Sequence, residues 1–246
     1  MAGVIGAFVW GFAAASSLLL GGLVSIRWTI QRRVLGLVMA FGAGVLLSAV
    51  AFDLVEEAAG IADGGAWVGI GLALGAITFF AGDALIDRMG GANRKSAKGS
   101  DQSQSPLAIV LGIVLDGIPE SIVIGLTLLS GLGVDAAVVI AVFLSNVPEA
   151  VAATTGLRES GWKSRNTIYL WILVMVVSGL SSALGFAIFG NFGGNAVAFV
   201  DAFAAGAILT MLADTMMPEA YEFAGPQVGL VTTLGFGLAF AISSLT

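Results

Sequence analysis

The sequence predicts an all-α polytopic membrane protein. Eight transmembrane helices follow a 3+2+3 order, with spans 1–3 and 6–8 as inverted repeats. Three observations predict it. Of 246 residues, 58% are hydrophobic and only 11% charged, with a mean hydropathy of +1.01; a soluble domain carries roughly 25% charged residues. The apolar residues fall in eight runs near the ~20 residues a helix needs to cross a bilayer. All ten Lys and Arg lie in three of the connections between runs. The 35 glycines suit close approach of helices in lipid.

The first run, 3–26, lacks a basic leader and a cleavage site, so it reads as a span and not as a signal peptide. Arg27, Arg32 and Arg33 separate it from the second, 34–57. The third, 65–86, is followed by Arg88, Arg94, Lys95 and Lys98 within the segment 87–105. That segment is rich in Gly, Ser, Gln and charge and is expected to be a flexible cytoplasmic loop; the chain 1–246 is otherwise one transmembrane domain. Runs four and five are 106–129 and 134–157, followed by Arg158, Lys163 and Arg165. Runs six to eight are 166–189, 195–217 and 226–245, the last opening at Pro226.

With eight spans, the three basic connections share one side, and those after spans 2, 4 and 6 hold no Lys or Arg. The positive-inside rule places the basic loops in the cytoplasm and both termini on the extracytoplasmic side of an inner or plasma membrane. A repeat supports this order. Phe41-Gly42-Ala43-Gly44, Asp53 and Glu56-Glu57-Ala58 in span 2 match Phe203-Ala204-Ala205-Gly206, Asp214 and Pro218-Glu219-Ala220 in span 7. Under this topology the two spans run in opposite directions. Inverted repeats are a recurring plan of secondary transporters, with the substrate site near the midplane.

Two stretches place polar groups in mid-membrane: Asp116-Gly117-Ile118-Pro119-Glu120-Ser121 in span 4 and Ser145-Asn146-Val147-Pro148-Glu149-Ala150 in span 5. Asp116 and Glu120 are four residues apart, Asn146 and Glu149 three, so each pair shares a helix face. Pro119 cannot donate to the carbonyl of Leu115, nor Pro148 to that of Leu144. Freed carbonyls and side chains together make an oxygen-rich pocket. Three carboxylates side by side in a low dielectric need protons or cations to neutralise them. Ionisable groups at this depth mark ion pathways by default. A kinked packing helix is the plainer reading, but two matched Pro-Glu pairs argue against it. Asp53, Glu56 and Glu57 at one end, and Asp214 and Glu219 at the other, are candidate pathway groups.

The chain has no Cys and no His. Disulfides, thiolate or imidazole ligands and a Ser–His pair are therefore excluded. An intramembrane aspartyl protease would need Gly-x-Gly-Asp, and the nearest stretch, Phe80-Ala81-Gly82-Asp83, lacks the first glycine. The chain is expected to be a non-enzyme, with no catalytic residues, no bound organic cofactor and no nucleic-acid partner. A transporter of divalent ions leads the readings. A cation channel, or a proton-coupled transporter of another cation, is the alternative.

The two motifs resemble those of the ZIP (Zrt/Irt-like) metal transporters. Those have eight spans, outward termini and a cytoplasmic loop after span 3. Their span 4 carries His-Asn-x-Pro-Glu-Gly and their span 5 a similar His/Gln-Asn/Asp-x-Pro-Glu-Gly; their span 7 often reads like Phe203-Ala204-Ala205-Gly206 followed by Pro218-Glu219. The resemblance implies that Asp116, Glu120, Ser145, Asn146 and Glu149 line a metal site, that metal moves toward the cytoplasm, and that a homodimer is plausible. The chain departs from the pattern where His and Asn become Asp116 and Gly117, which leaves a second metal position open. Oxygen in place of imidazole suits Mg²⁺, Mn²⁺, Ca²⁺ or Fe²⁺ and weakens the preference for Zn²⁺, which family grounds retain.

Overall fold

The computed structural model describes residues 3–91, 106–130 and 133–244. Those residues form helices and no strands. We number the helices α1 (Val4–Arg27), α2 (Arg32–Ile61), α3 (Ala66–Met89), α4 (Pro106–Thr127), α5 (Ala136–Glu159), α6 (Ser164–Phe189), α7 (Gly194–Ala224) and α8 (Gln227–Ser243). The first seven are long and apolar enough to span, and α8 is a shorter apolar helix. The eight expected runs correspond one to one. Of the expected 87–105 loop, residues 87–91 continue the third helix, and 92–105 lie outside the described residues.

Two helices are longer than their apolar runs. α2 has 30 residues and α7 has 31, roughly 45 Å at 1.5 Å per residue, which exceeds a ~30 Å hydrocarbon core. Each contains a π-helical stretch, Ala49–Glu56 in α2 and Leu212–Met216 in α7, after which α-helix resumes. In α7 the wide turn lies just before Pro218. There the ring and its missing N–H would disrupt a regular α-helical turn. The expected ends at 57 and 217 are therefore too early: Asp53, Glu56 and Glu57, and Asp214 and Glu219, lie within continuing helices.

In space the helices group four and four. α1 packs on α5 and α6, and α4 on α6; α2 packs on α8, and α7 on α3. The groups meet where α2 crosses α5, α7 crosses α4, and α2 lies beside α7. Lipid gives helices little hydrophobic reason to associate, so contacts depend on small residues that admit close backbones. A Cβ on Gly75 of α3 would collide with the Phe203 carbonyl of α7, and one on Gly235 of α8 with the Phe41 carbonyl of α2. Gly206 meets the Leu72 carbonyl and Gly44 that of Thr232 in the same reciprocal way. The residues of the sequence repeat thus make equivalent contacts in the two halves of the second group.

α2 and α7 run antiparallel. The Asp63 amide, just past α2, donates to Asn195 Oδ1 in the first turn of α7 (2.8 Å). At the other end Arg33 donates to Gln227 Oε1, at the start of α8 (2.8 Å). Arg158 at the end of α5 donates to the Ser25 carbonyl near the end of α1 (3.0 Å). Arg33 and Arg158 thus tie helix ends together at what we call the basic face. The opposite end, where Asp53, Glu56, Glu57 and Asp135 lie, is the acidic face.

Polar side chains join helices of the first group. Ser182 of α6 donates to the Ala7 carbonyl of α1 (2.8 Å), a link of the kind that holds helices together in lipid. Trp171 Nε1 donates to Thr154 Oγ1 across the α5–α6 interface (2.9 Å), and both residues are fully buried. Replacing Thr154 with Val keeps the volume but leaves a buried indole N–H without an acceptor. We expect a loss of about 1–3 kcal/mol, read as a melting temperature lowered by several degrees in detergent. Ser160→Ala, at an exposed position, should leave the melting temperature unchanged.

Candidate metal site

α4 and α5 stay helical through their prolines: Pro119 and Pro148 both lie inside the helices. The two helices pack on each other. The hydroxyls nearby partly occupy local carbonyls. Ser121 Oγ donates to the Gly117 carbonyl (2.6 Å) and Ser145 Oγ to that of Val142 (3.0 Å). A serine bonded back to its own helix still offers its oxygen lone pairs as acceptors.

Asp116 (2% exposed), Glu120 (1%), Ser145 (0%) and Asn146 (4%) are buried. Glu149 is half-buried. Thus four of the five groups expected to line the site lie in the protein interior, away from lipid, where an ionised carboxylate would be most costly. Among the described residues no three Asp or Glu side chains converge to hold a metal. A cation between α4 and α5 would therefore draw on Ser145, Asn146 and carbonyl or water oxygens as well as carboxylates, a donor set that Mg²⁺, Mn²⁺ and Ca²⁺ accept readily.

The second helix group borders this place. A Cβ on Gly42 of α2 would lie 3.2 Å from Ser145 Cα and 3.4 Å from Met216 Cε. Gly42 belongs to the repeated Phe-Gly-Ala-Gly stretch, whose role beside Ser145 was not anticipated. Met211 and Met216 are buried in the core, in keeping with packing roles. At Gly117 a Cβ would meet nothing within 4 Å, so the position that carries Gly in place of Asn has room for a larger residue.

The candidate pathway groups differ from one another. Asp53 is buried and accepts from Ser243 Oγ of α8 (2.8 Å). Glu56 and Glu57 are exposed. Asp214 is exposed and Glu219 half-buried on α7. Asp135 caps α5, accepting from the amides of Ala137 (2.7 Å) and Val138 (3.2 Å), as Asp does at helix N-termini. One acid was passed over: Asp201, which is not among the candidate pathway groups, is 4% exposed. It lies seven residues inside α7. An acid two turns into an apolar run was the signal that could have marked it.

No protein-family model matches the chain. It is similar to a protein of Arabidopsis thaliana named "Putative zinc transporter", with 27% identity over 214 residues. The match covers 85% of this chain and 34% of that protein. The chain thus spans about a third of the length of the curated relative it matches.

Proposed function

We propose that the protein is a metal transporter of the ZIP type, not an enzyme, and that it carries a divalent cation toward the cytoplasm. The ion sits between α4 and α5. Glu120 and Glu149 are its core ligands, Asp116 and Asn146 complete the shell, and Ser145 contributes more weakly. The observation that carries the reading is the burial of Asp116 and Glu120 beside Pro119, inside a bundle whose buried residues are mostly apolar or small. The likeness to a relative named for zinc supports a divalent metal as cargo. It keeps Zn²⁺ beside Mn²⁺, Fe²⁺ and harder cations as the ion carried.

The arrangement suits alternating access. The antiparallel α2 and α7, their matched π-helical stretches and their reciprocal glycine contacts support an inverted repeat. The group α1, α4, α5 and α6 bears the site, and displacement against α2 and α7 would expose it first to one face and then the other. The acidic face would be extracytoplasmic, and Asp53, Glu56 and Glu57 would raise the local cation concentration there. Asp214 and Glu219 would line the way out.

Reconstitution into proteoliposomes tests this. Uptake of Zn²⁺, Mn²⁺, Fe²⁺, Cd²⁺, Mg²⁺ and Ca²⁺ is measured side by side. Saturable uptake of divalent ions with mutual competition is expected. Flux that rises linearly with concentration would instead indicate a channel, and no divalent flux at all would overturn the reading.

A further inference from the structure

A cavity of about 280 Å³ opens between the acidic-face ends of α2, α4, α6 and α7. Leu54, Glu57, Thr127, Phe189, Val197 and Asp201 are among the residues that line it. It lies where the two helix groups meet. Asp201 faces it from α7 while only 4% exposed. No hydrogen bond to its carboxylate forms among the described residues. The charge that acts on it is another carboxylate, Glu57. Glu57 in turn feels Asp135, and Asp53 feels Asp135, Glu57 and Glu56. None of the described residues that line it is basic.

Burying a carboxylate without a donor or counter-charge is costly, and it is offset only when something neutralises the group. Here the neighbours add negative charge. The cavity has room for about nine waters at ~30 Å³ each, so an ion could sit in it with much of its hydration shell. Carboxylates with water oxygens are the donor set that hard divalent cations prefer.

We propose that Glu57 and Asp201 form a second divalent-cation subsite, in this cavity between the helix groups, which holds a partly hydrated ion ahead of the central site. Thr127, at the cavity, is seven residues from Glu120 on α4, about 10 Å along the helix. The ion waits there two turns from the place where it is dehydrated. The subsite's role in transport rests on the central-site reading, but its ability to bind does not.

Mn²⁺ binding to the full chain in nanodiscs, followed by electron paramagnetic resonance, tests it without any transport step. The wild type should bind two Mn²⁺ and Asp201→Asn one, with Asp201→Glu restoring the second. Glu57→Gln, at an exposed position that folding tolerates, should weaken that second ion about tenfold. Wild-type stoichiometry and affinity in both Asp201→Asn and Glu57→Gln would overturn the subsite, leaving Asp201 a buried packing residue. Should Asp201→Asn fail to fold, the Glu57→Gln titration decides alone. Glu120→Gln separates the two readings. If it keeps both ions while Asp201→Asn loses one, the central site fails and the subsite stands; if it loses one while Asp201→Asn loses none, the reverse holds.

Discussion

Uptake of divalent metal into proteoliposomes should fall on the order of 100-fold in Glu120→Gln and in Glu149→Gln, while both variants remain folded and helical. The substitution keeps size and one carbonyl oxygen but removes the negative charge that offsets the ion's lost hydration. Altering groups that merely support a metal ligand typically costs 10–100-fold in affinity or activity, and direct loss of an anionic ligand lies at the upper end. Glu120 is almost wholly buried and Glu149 half-buried. The stability readout should therefore differ as well. With no charge left to desolvate, Glu120→Gln should match or exceed wild type in thermal stability without metal, and should gain less from added metal, since an ion stabilises only the state that binds it. Unchanged uptake in both variants would sink the site between α4 and α5, whatever the fold.

The same burial shows why that candidate site was legible in the sequence and its surroundings were not. A span is an apolar run ended by charged, Gly, Pro or other polar residues, and those breaks locate all eight helices. Asp116, Glu120, Asn146 and Glu149 stand out because the background is apolar, and the prolines beside them mark backbone that needs other partners. α2 and α7 broke the rule. Asp53, Glu56 and Glu57, and Asp214 and Glu219, looked like span ends, yet π-helical stretches carry the chain onward through them. Hydrogen-bond register is not written in residue polarity, so composition had no means of showing it. Nor did it show which glycine meets which carbonyl. Gly44, Gly75, Gly206 and Gly235 are four among 35, and only assembly reveals that they join α2 to α8 and α7 to α3. Asp201 was passed over for a related reason. Depth along an apolar run gives a position across the membrane, but not whether an acid faces water, lipid or a cavity.

Changing the donor at position 116 should change which ion is preferred. The resemblance places an imidazole where this chain has a buried carboxylate, and a neighbouring Asn where it has Gly117. Nitrogen donors favour Zn²⁺ over Mn²⁺ and Mg²⁺ more strongly than carboxylate oxygens do. Asp116→His should therefore raise the ratio of Zn²⁺ to Mn²⁺ uptake by about tenfold or more, chiefly by weakening Mn²⁺. The Gly117 position itself is open: a Cβ there touches nothing within 4 Å. Asp116→His with Gly117→Asn should accordingly fold as the single variant does, and its added amide oxygen should strengthen metal binding. Asp116→Asn is the control that removes charge without supplying nitrogen; it should weaken both metals together and leave their ratio within about twofold. Competition between Zn²⁺ and Mn²⁺ in one uptake assay reads all three variants. If the ratio stays at its wild-type value in Asp116→His while total uptake is retained, Asp116 does not touch the ion. The preference would then reside in Glu120, Glu149 and Asn146 alone.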